Sequence, residues 1–258
     1  MKPKKKQKLK LRLWVVVLFL CISFTGVVYY SYKVITWKLH TEENKKIKEE
    51  LDTKVKKITP SKEETRYEID FNSLKEKNED TVAYIEVKNT NISYVVVRGY
   101  DNSYYLNHNF EKEWNVAGWI FGDYHNKFDE TDKNLVIYGH ETKDGSMFGT
   151  LNKVIAEEWY KNKENYEISL VTEQGNYTYQ VFSVYSIDPE DYYINTYFQG
   201  NEFEDFINTI HNRSIYDFSI DVTSKDKILT LSSCLYEGRQ RVVLHAKLKE
   251  KRENIDEN

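Results

Sequence analysis

Cysteine, proline and glycine are all scarce in this 258-residue chain, which holds two Cys, three Pro and ten Gly. The cysteines, Cys21 and Cys234, lie far apart, one inside an apolar run and one near the C-terminus, so no disulfide framework supports the fold. Pro3, Pro60 and Pro189 are isolated, which excludes a Pro-rich linker, and there is no internal repeat or low-complexity tract. Acidic residues are absent from the first 32 positions, where seven cations fall: Lys2, Lys4, Lys5, Lys6, Lys8, Lys10 and Arg12. With an overall charge of −4, those seven leave −11 on residues 33–258, which argues against nucleic acid as a partner.

The one long uncharged run is LWVVVLFLCISFTGVVYYSY, Leu13 to Tyr32. As a helix, twenty residues span about 30 Å of hydrocarbon. The lysines before it predict a cytoplasmic N-terminus, and Trp14, Tyr29, Tyr30 and Tyr32 suit the two interfaces. The run ends in bulky tyrosines, not in a small-residue cleavage site, so it reads as a single-pass anchor and not as a signal peptide. The rest of the chain is then expected outside the cell.

Five segments follow from this: a basic tail at 1–12, an anchor at 13–32, a charged helical spacer at 33–65, a folded domain at 66–250 and a polar tail at 251–258. Lys and Glu three to four residues apart over 38–59 suit a solvated helix, with Pro60 as its stop. A short helix begins at Asp70-Phe71, capped by Asp or Asn. Strands are expected at 82–87, 92–97, 117–121, 134–138, 166–171, 177–185, 228–232 and 242–248, with helices over 148–159 and 202–210. About eight strands joined mainly by short turns predict a mainly β fold, a closed or nearly closed barrel with peripheral helices.

Cys234 ends the run Ile228-Leu229-Thr230-Leu231-Ser232-Ser233, and Arg241 opens the next apolar run seven residues later. A thiol and a guanidinium at neighbouring strand ends suit acyl transfer, the thiolate attacking a carbonyl while a donor faces the new oxyanion. A small buried hydrophobe fits the same position. A catalytic thiol needs a base or cation nearby. Of six histidines, His40 and His211 read as solvent-facing, His108 and His125 lie in polar loops, and His245 reads as a packed strand residue. His140 ends an apolar strand directly after Gly139, where a side chain can be aimed into a cleft.

Together, Val136-Ile137-Tyr138-Gly139-His140, Lys143-Asp144-Gly145-Ser146-Met147-Phe148, Thr230-Leu231-Ser232-Ser233-Cys234 and the strand opened by Arg241 resemble the sortases, class B in particular. The anchor and the helix before the cysteine strand agree with this. The resemblance covers residues 66–250 and implies an eight-stranded sortase barrel. It also implies a cysteine transpeptidase that cleaves a C-terminal sorting signal of LPxTG or NPxTx type after Thr. The acyl group then passes to an amine of Gram-positive peptidoglycan, or in some members to a pilin lysine. By position, Cys234 is the nucleophile, His140 the general acid and then base, and Arg241 the oxyanion donor, with Arg239 as an alternative. Asn102, Leu106, Tyr193, Ile194 and Ser232 match substrate-groove positions, although packing alone also accounts for Leu106 and Ile194. Leu235-Tyr236 stand where relatives often have an acid, which leaves no obvious orienting carboxylate. No cofactor or metal is expected. A cysteine hydrolase of similar fold, a pilin-polymerising enzyme and a non-enzymatic adhesin with a buried cysteine are the alternative readings.

Overall fold

A computed structural model describes residues 13–61, 64–234 and 240–254. The chain begins with α1 (Leu13–Asp52), followed by an antiparallel pair, β1 (Val55–Ser61) and β2 (Glu64–Ile69), and then α2 (Phe71–Lys77). Eight further strands form a closed barrel: β3 (Thr81–Val87), β4 (Ser93–Val97), β5 (Phe121–Gly122), β6 (Asn134–His140), β7 (Glu167–Thr172), β8 (Gly175–Ile187), β9 (Ile228–Cys234) and β10 (Arg241–Arg252). Their order around the barrel is β10-β8-β7-β3-β4-β5-β6-β9. Helices α3 (Glu157–Lys161) and α4 (Glu202–Asn212) lie outside it.

The β-branched and aromatic runs form the barrel because alternate side chains fill its interior, among them Ile85, Val96, Ile137, Leu229, Leu231 and Leu244, all fully buried. A second apolar cluster lies under α4, whose Phe203, Phe206, Ile207 and Ile210 meet Phe182 and Val243. Asp70 caps α2 by accepting the Ser73 N–H at 3.0 Å. Most barrel neighbours are antiparallel, but β6 and β9 are parallel and in register from Asn134↔Ile228 to His140↔Cys234.

Four local expectations need revision. The polar stretch over 38–59 is not one solvated helix: α1 ends at Asp52, and Val55 to Ile58 pair with Ile69 to Arg66. Strand pairing satisfies the backbone there, and cross-strand contacts such as Lys56–Glu68 use the charges. Nor is the end of α1 fully solvated. Asn44, Ile47 and Leu51 recur on one helix face and are buried against the barrel. His40, expected in solvent, is half-buried and accepts the Val116 N–H at 3.0 Å through Nδ1. The helix expected over 148–159 divides into a 3-10 turn at Leu151–Ile155 and α3, and the strand expected over 117–121 is regular only at Phe121–Gly122.

Gly118 makes the close approach in this region. Its φ is +58°, and a Cβ there would lie 2.4 Å from the Tyr105 carbonyl oxygen and 2.7 Å from that of Leu106. Gly118→Ala should therefore lower stability by about 2 kcal/mol or more, because both the backbone conformation and the space exclude a methyl group. Urea unfolding of the two proteins measures this.

Candidate active site

Parallel pairing brings the C-terminal ends of β6 and β9 to the same end of the barrel, so His140 and Cys234 occupy matching positions on adjacent strands. Neighbouring strands lie roughly 4.8 Å apart. β10 runs antiparallel to β9, with Val243 opposite Ser232, so Arg241 opens β10 at that same end. Three residues separated by up to 101 positions thus meet at one rim. Arg239 and Leu235-Tyr236 lie outside the described residues.

Gly139 is needed beside His140 for packing. A Cβ there would come within 2.4 Å of Ile120 Cδ1 and 2.7 Å of Phe148 Cγ. The half-exposed His140 ring places Nε2 2.6 Å from the Leu106 carbonyl oxygen. A carbonyl can only accept, so Nε2 carries a hydrogen and proton exchange falls to Nδ1. Arg241 donates from Nη1 to the Tyr193 hydroxyl at 3.1 Å and lies 3.9 Å from Asp191 Oδ1. The Tyr193 hydroxyl, having accepted from the guanidinium, is 3.1 Å from Ser232 Oγ and can donate to it.

Tyr193 and Ser232 are therefore buried groups behind Arg241, whereas Asn102, Leu106 and Ile194 are half-exposed. The Asn102 amide donates to Asp123 Oδ2 at 2.7 Å and accepts the Tyr124 N–H at 3.0 Å. Asp123 also accepts from the Tyr138 hydroxyl, which ties Asn102 to the strand bearing His140. Among the described residues no three His, Cys, Asp or Glu side chains converge as a metal site.

A buried polar chain beneath the site escapes sequence reasoning. Asn134 donates its amide to the carbonyls of Tyr193 (3.3 Å) and Asn195 (2.9 Å), so its Oδ1 is the acceptor for the Thr230 hydroxyl at 2.6 Å. With its hydrogen committed there, Thr230 Oγ1 must accept from His245 Nδ1 at 2.8 Å. His245 Nε2 is then the acceptor for the Tyr185 hydroxyl at 2.8 Å, which in turn accepts from Tyr192 at 3.0 Å. The chain leaves the 192–195 segment, crosses four strands and returns to it. His245 is a packed strand residue, as its alternation with Val243 suggested. Its one sequence signal was a polar ring in an otherwise apolar strand.

Burial pushes the His245 pKa down to about 3, so it is neutral in the folded protein. Once unfolded, the same imidazole takes up a proton near pH 6.5. Between those values the unfolded state binds more protons, so stability is lost as pH falls through this window. His245→Gln should flatten the pH dependence of the urea midpoint between pH 6.5 and 4, by up to about 1.4 kcal/mol per pH unit. An unchanged slope would count against a neutral buried imidazole.

A family model for the sortase domain matches residues 85–249. Sortase B of Listeria monocytogenes is 36% identical over 244 residues, covering 89% of this chain and 97% of the relative. Sortase B of Staphylococcus aureus is 30% identical over 226 residues, covering 86% and 91%. Among solved structures, Bacillus anthracis sortase B superposes with a TM-score of 0.72 at 36% identity, covering 83% of this chain and 99% of that one. A Staphylococcus aureus sortase B–substrate complex superposes with a TM-score of 0.66 at 33% identity, covering 70% and 84%. With the barrel, the site at its rim and these likenesses in agreement, the chain belongs to the sortase family of cysteine transpeptidases, on its class B branch.

Proposed function

We propose that this cell-wall sorting transpeptidase is held by α1 in the membrane, with its barrel outside the cell, and cleaves an LPxTG- or NPxTx-type sorting signal after Thr. The observation that carries the reading is the in-register end of β6 and β9, which makes His140 and Cys234 strand neighbours with Arg241 opening the next strand. The apolar residues of α1 from Leu13 to Val28 are almost all exposed on the helix surface, which supports a span.

In the acylation step the Cys234 thiolate attacks the Thr carbonyl carbon and the carbonyl electron pair moves to oxygen. Arg241, which donates to the Tyr193 hydroxyl, is the donor we assign to that oxyanion. Collapse breaks the C–N bond, and the departing amine takes the proton from His140 Nδ1, while Nε2–H stays on the Leu106 carbonyl. An amine of the peptidoglycan cross-bridge then attacks the thioester. His140 Nδ1 removes its proton, and the thiolate is released.

Asn102, Leu106 and Ile194 border this rim and are the proposed contacts for the signal. Tyr193 and Ser232 shape the pocket from behind Arg241. No cofactor is needed for this chemistry. The charge of −11 on residues 33–258 fits a cationic amine acceptor and disfavours nucleic acid.

Cys234→Ala and His140→Ala should abolish cleavage of a sorting peptide with the fold retained, and Arg241→Ala should lower kcat/KM by about 10²–10³-fold. Chromatography of products with and without a diamino acid or glycyl amine distinguishes transfer from hydrolysis. Product that never contains the amine would leave a hydrolase.

A further inference from the structure

The remaining polar contacts of α1 lead to the catalytic rim. Asn44 is 3% exposed, on a helix face otherwise buried through Ile47 and Leu51. An amide so placed is costly unless bonded. Asn44 Nδ2 donates to the Gly118 carbonyl at 3.0 Å and to Asn115 Oδ1 at 3.3 Å. Asn115 Nδ2 returns a bond to Asn44 Oδ1 at 3.0 Å and also reaches the His40 carbonyl at 3.0 Å. The Val116 N–H donates to His40 Nδ1. Two side chains and one main-chain carbonyl of the helix thus hold the turn at 115–118.

That turn rests directly on the peptide preceding the histidine's partner. The Gly118 Cα lies so close to the carbonyls of Tyr105 and Leu106 that a methyl group has no room. The Trp119 N–H donates to the Tyr105 carbonyl at 3.0 Å, and the Asn115 N–H to that of Asn107 at 2.9 Å. The Leu106 carbonyl is bracketed by these contacts, and it is the acceptor for His140 Nε2.

We propose that Asn44 and Asn115 are positioning residues for His140: the anchor helix, through the 115–118 turn and the Leu106 carbonyl, fixes the orientation and tautomer of the imidazole. The role in turnover rests on the sortase reading above, whereas the effect on the imidazole does not. Without the Leu106 acceptor in place, the Nε2 hydrogen is no longer favoured over Nδ1, and the ring that must exchange a proton at Nδ1 populates the wrong tautomer. The contacts are contiguous from the helix to the imidazole, and a close-packed interior transmits displacement along such a path.

The test uses the full chain in detergent micelles, labelled with ¹⁵N-histidine. Asn44→Asp is isosteric but sets an acceptor against both the Gly118 carbonyl and Asn115 Oδ1. Ile47→Val removes packing from the same helix face without touching a hydrogen bond. The expected result is a single Nε2–H tautomer for His140 in the parent and in Ile47→Val, and a mixture in Asn44→Asp. With a sorting peptide, Asn44→Asp should lose about tenfold in kcat with KM within twofold, as a group acting through proton transfer does. Should Asn44→Asp fail to fold, Asn44→Ser, too short to reach Gly118, takes its place. An unchanged tautomer in the Asn44 variant, or the same change in Ile47→Val, overturns the proposal whatever the activity. A parent protein that cleaves no sorting peptide while the tautomer responds as expected sinks the sortase reading and leaves the positioning intact.

Discussion

The parallel, in-register pairing of β6 with β9 is the constraint on which the site depends. Had these strands run antiparallel, the ends bearing His140 and Cys234 would lie at opposite rims of the barrel. A parallel pair requires a long connection between its members, and the chain uses it productively. Between β6 and β9 it inserts β7, β8, α4 and the 190–195 segment, which supplies the partners of Arg241. The connection that topology demands is also the one that completes the proposed catalytic rim.

The polar chain through Asn134, Thr230, His245 and Tyr185 gives that segment a fixed seat. Each donor and acceptor in it has one assignment, because the Asn134 amide group must face two carbonyls. Such a network is favourable only when every member is satisfied, and a neutral His245 is the condition for this. Arg241 reaches Tyr193, whose main chain Asn134 holds and whose hydroxyl meets Ser232. Arg241, the proposed oxyanion donor, is thus located by strands β6, β9 and β10 together.

Most of the barrel could be read from the chain because period-two runs such as Val82–Val87 and Ile92–Val97 have no other stable use. The β1–β2 pair could not, since Lys and Glu at short spacing suit a helix as well as cross-strand pairs. The docking face of α1 was hidden for a similar reason: Asn44, Ile47 and Leu51 are three positions in a run dominated by charge. At the site, His140 and Cys234 stood out as polar residues terminating apolar strands. The Leu106 acceptor is a main-chain atom, which side-chain identity does not encode. Asn134, Thr230 and His245 each look ordinary alone, and their meaning arises from pairing across nearly a hundred residues.

Closure of the barrel has a consequence for how any peptide is read. Among the described residues the strands close into a ring, which leaves an extended ligand little edge to join as an added strand. Main-chain hydrogen bonding, which is indifferent to sequence, is largely removed as a source of affinity. Discrimination then falls to side chains on loops around the rim, which can diverge without disturbing the ring. An enzyme built this way can change its preferred motif while its scaffold and reaction stay the same.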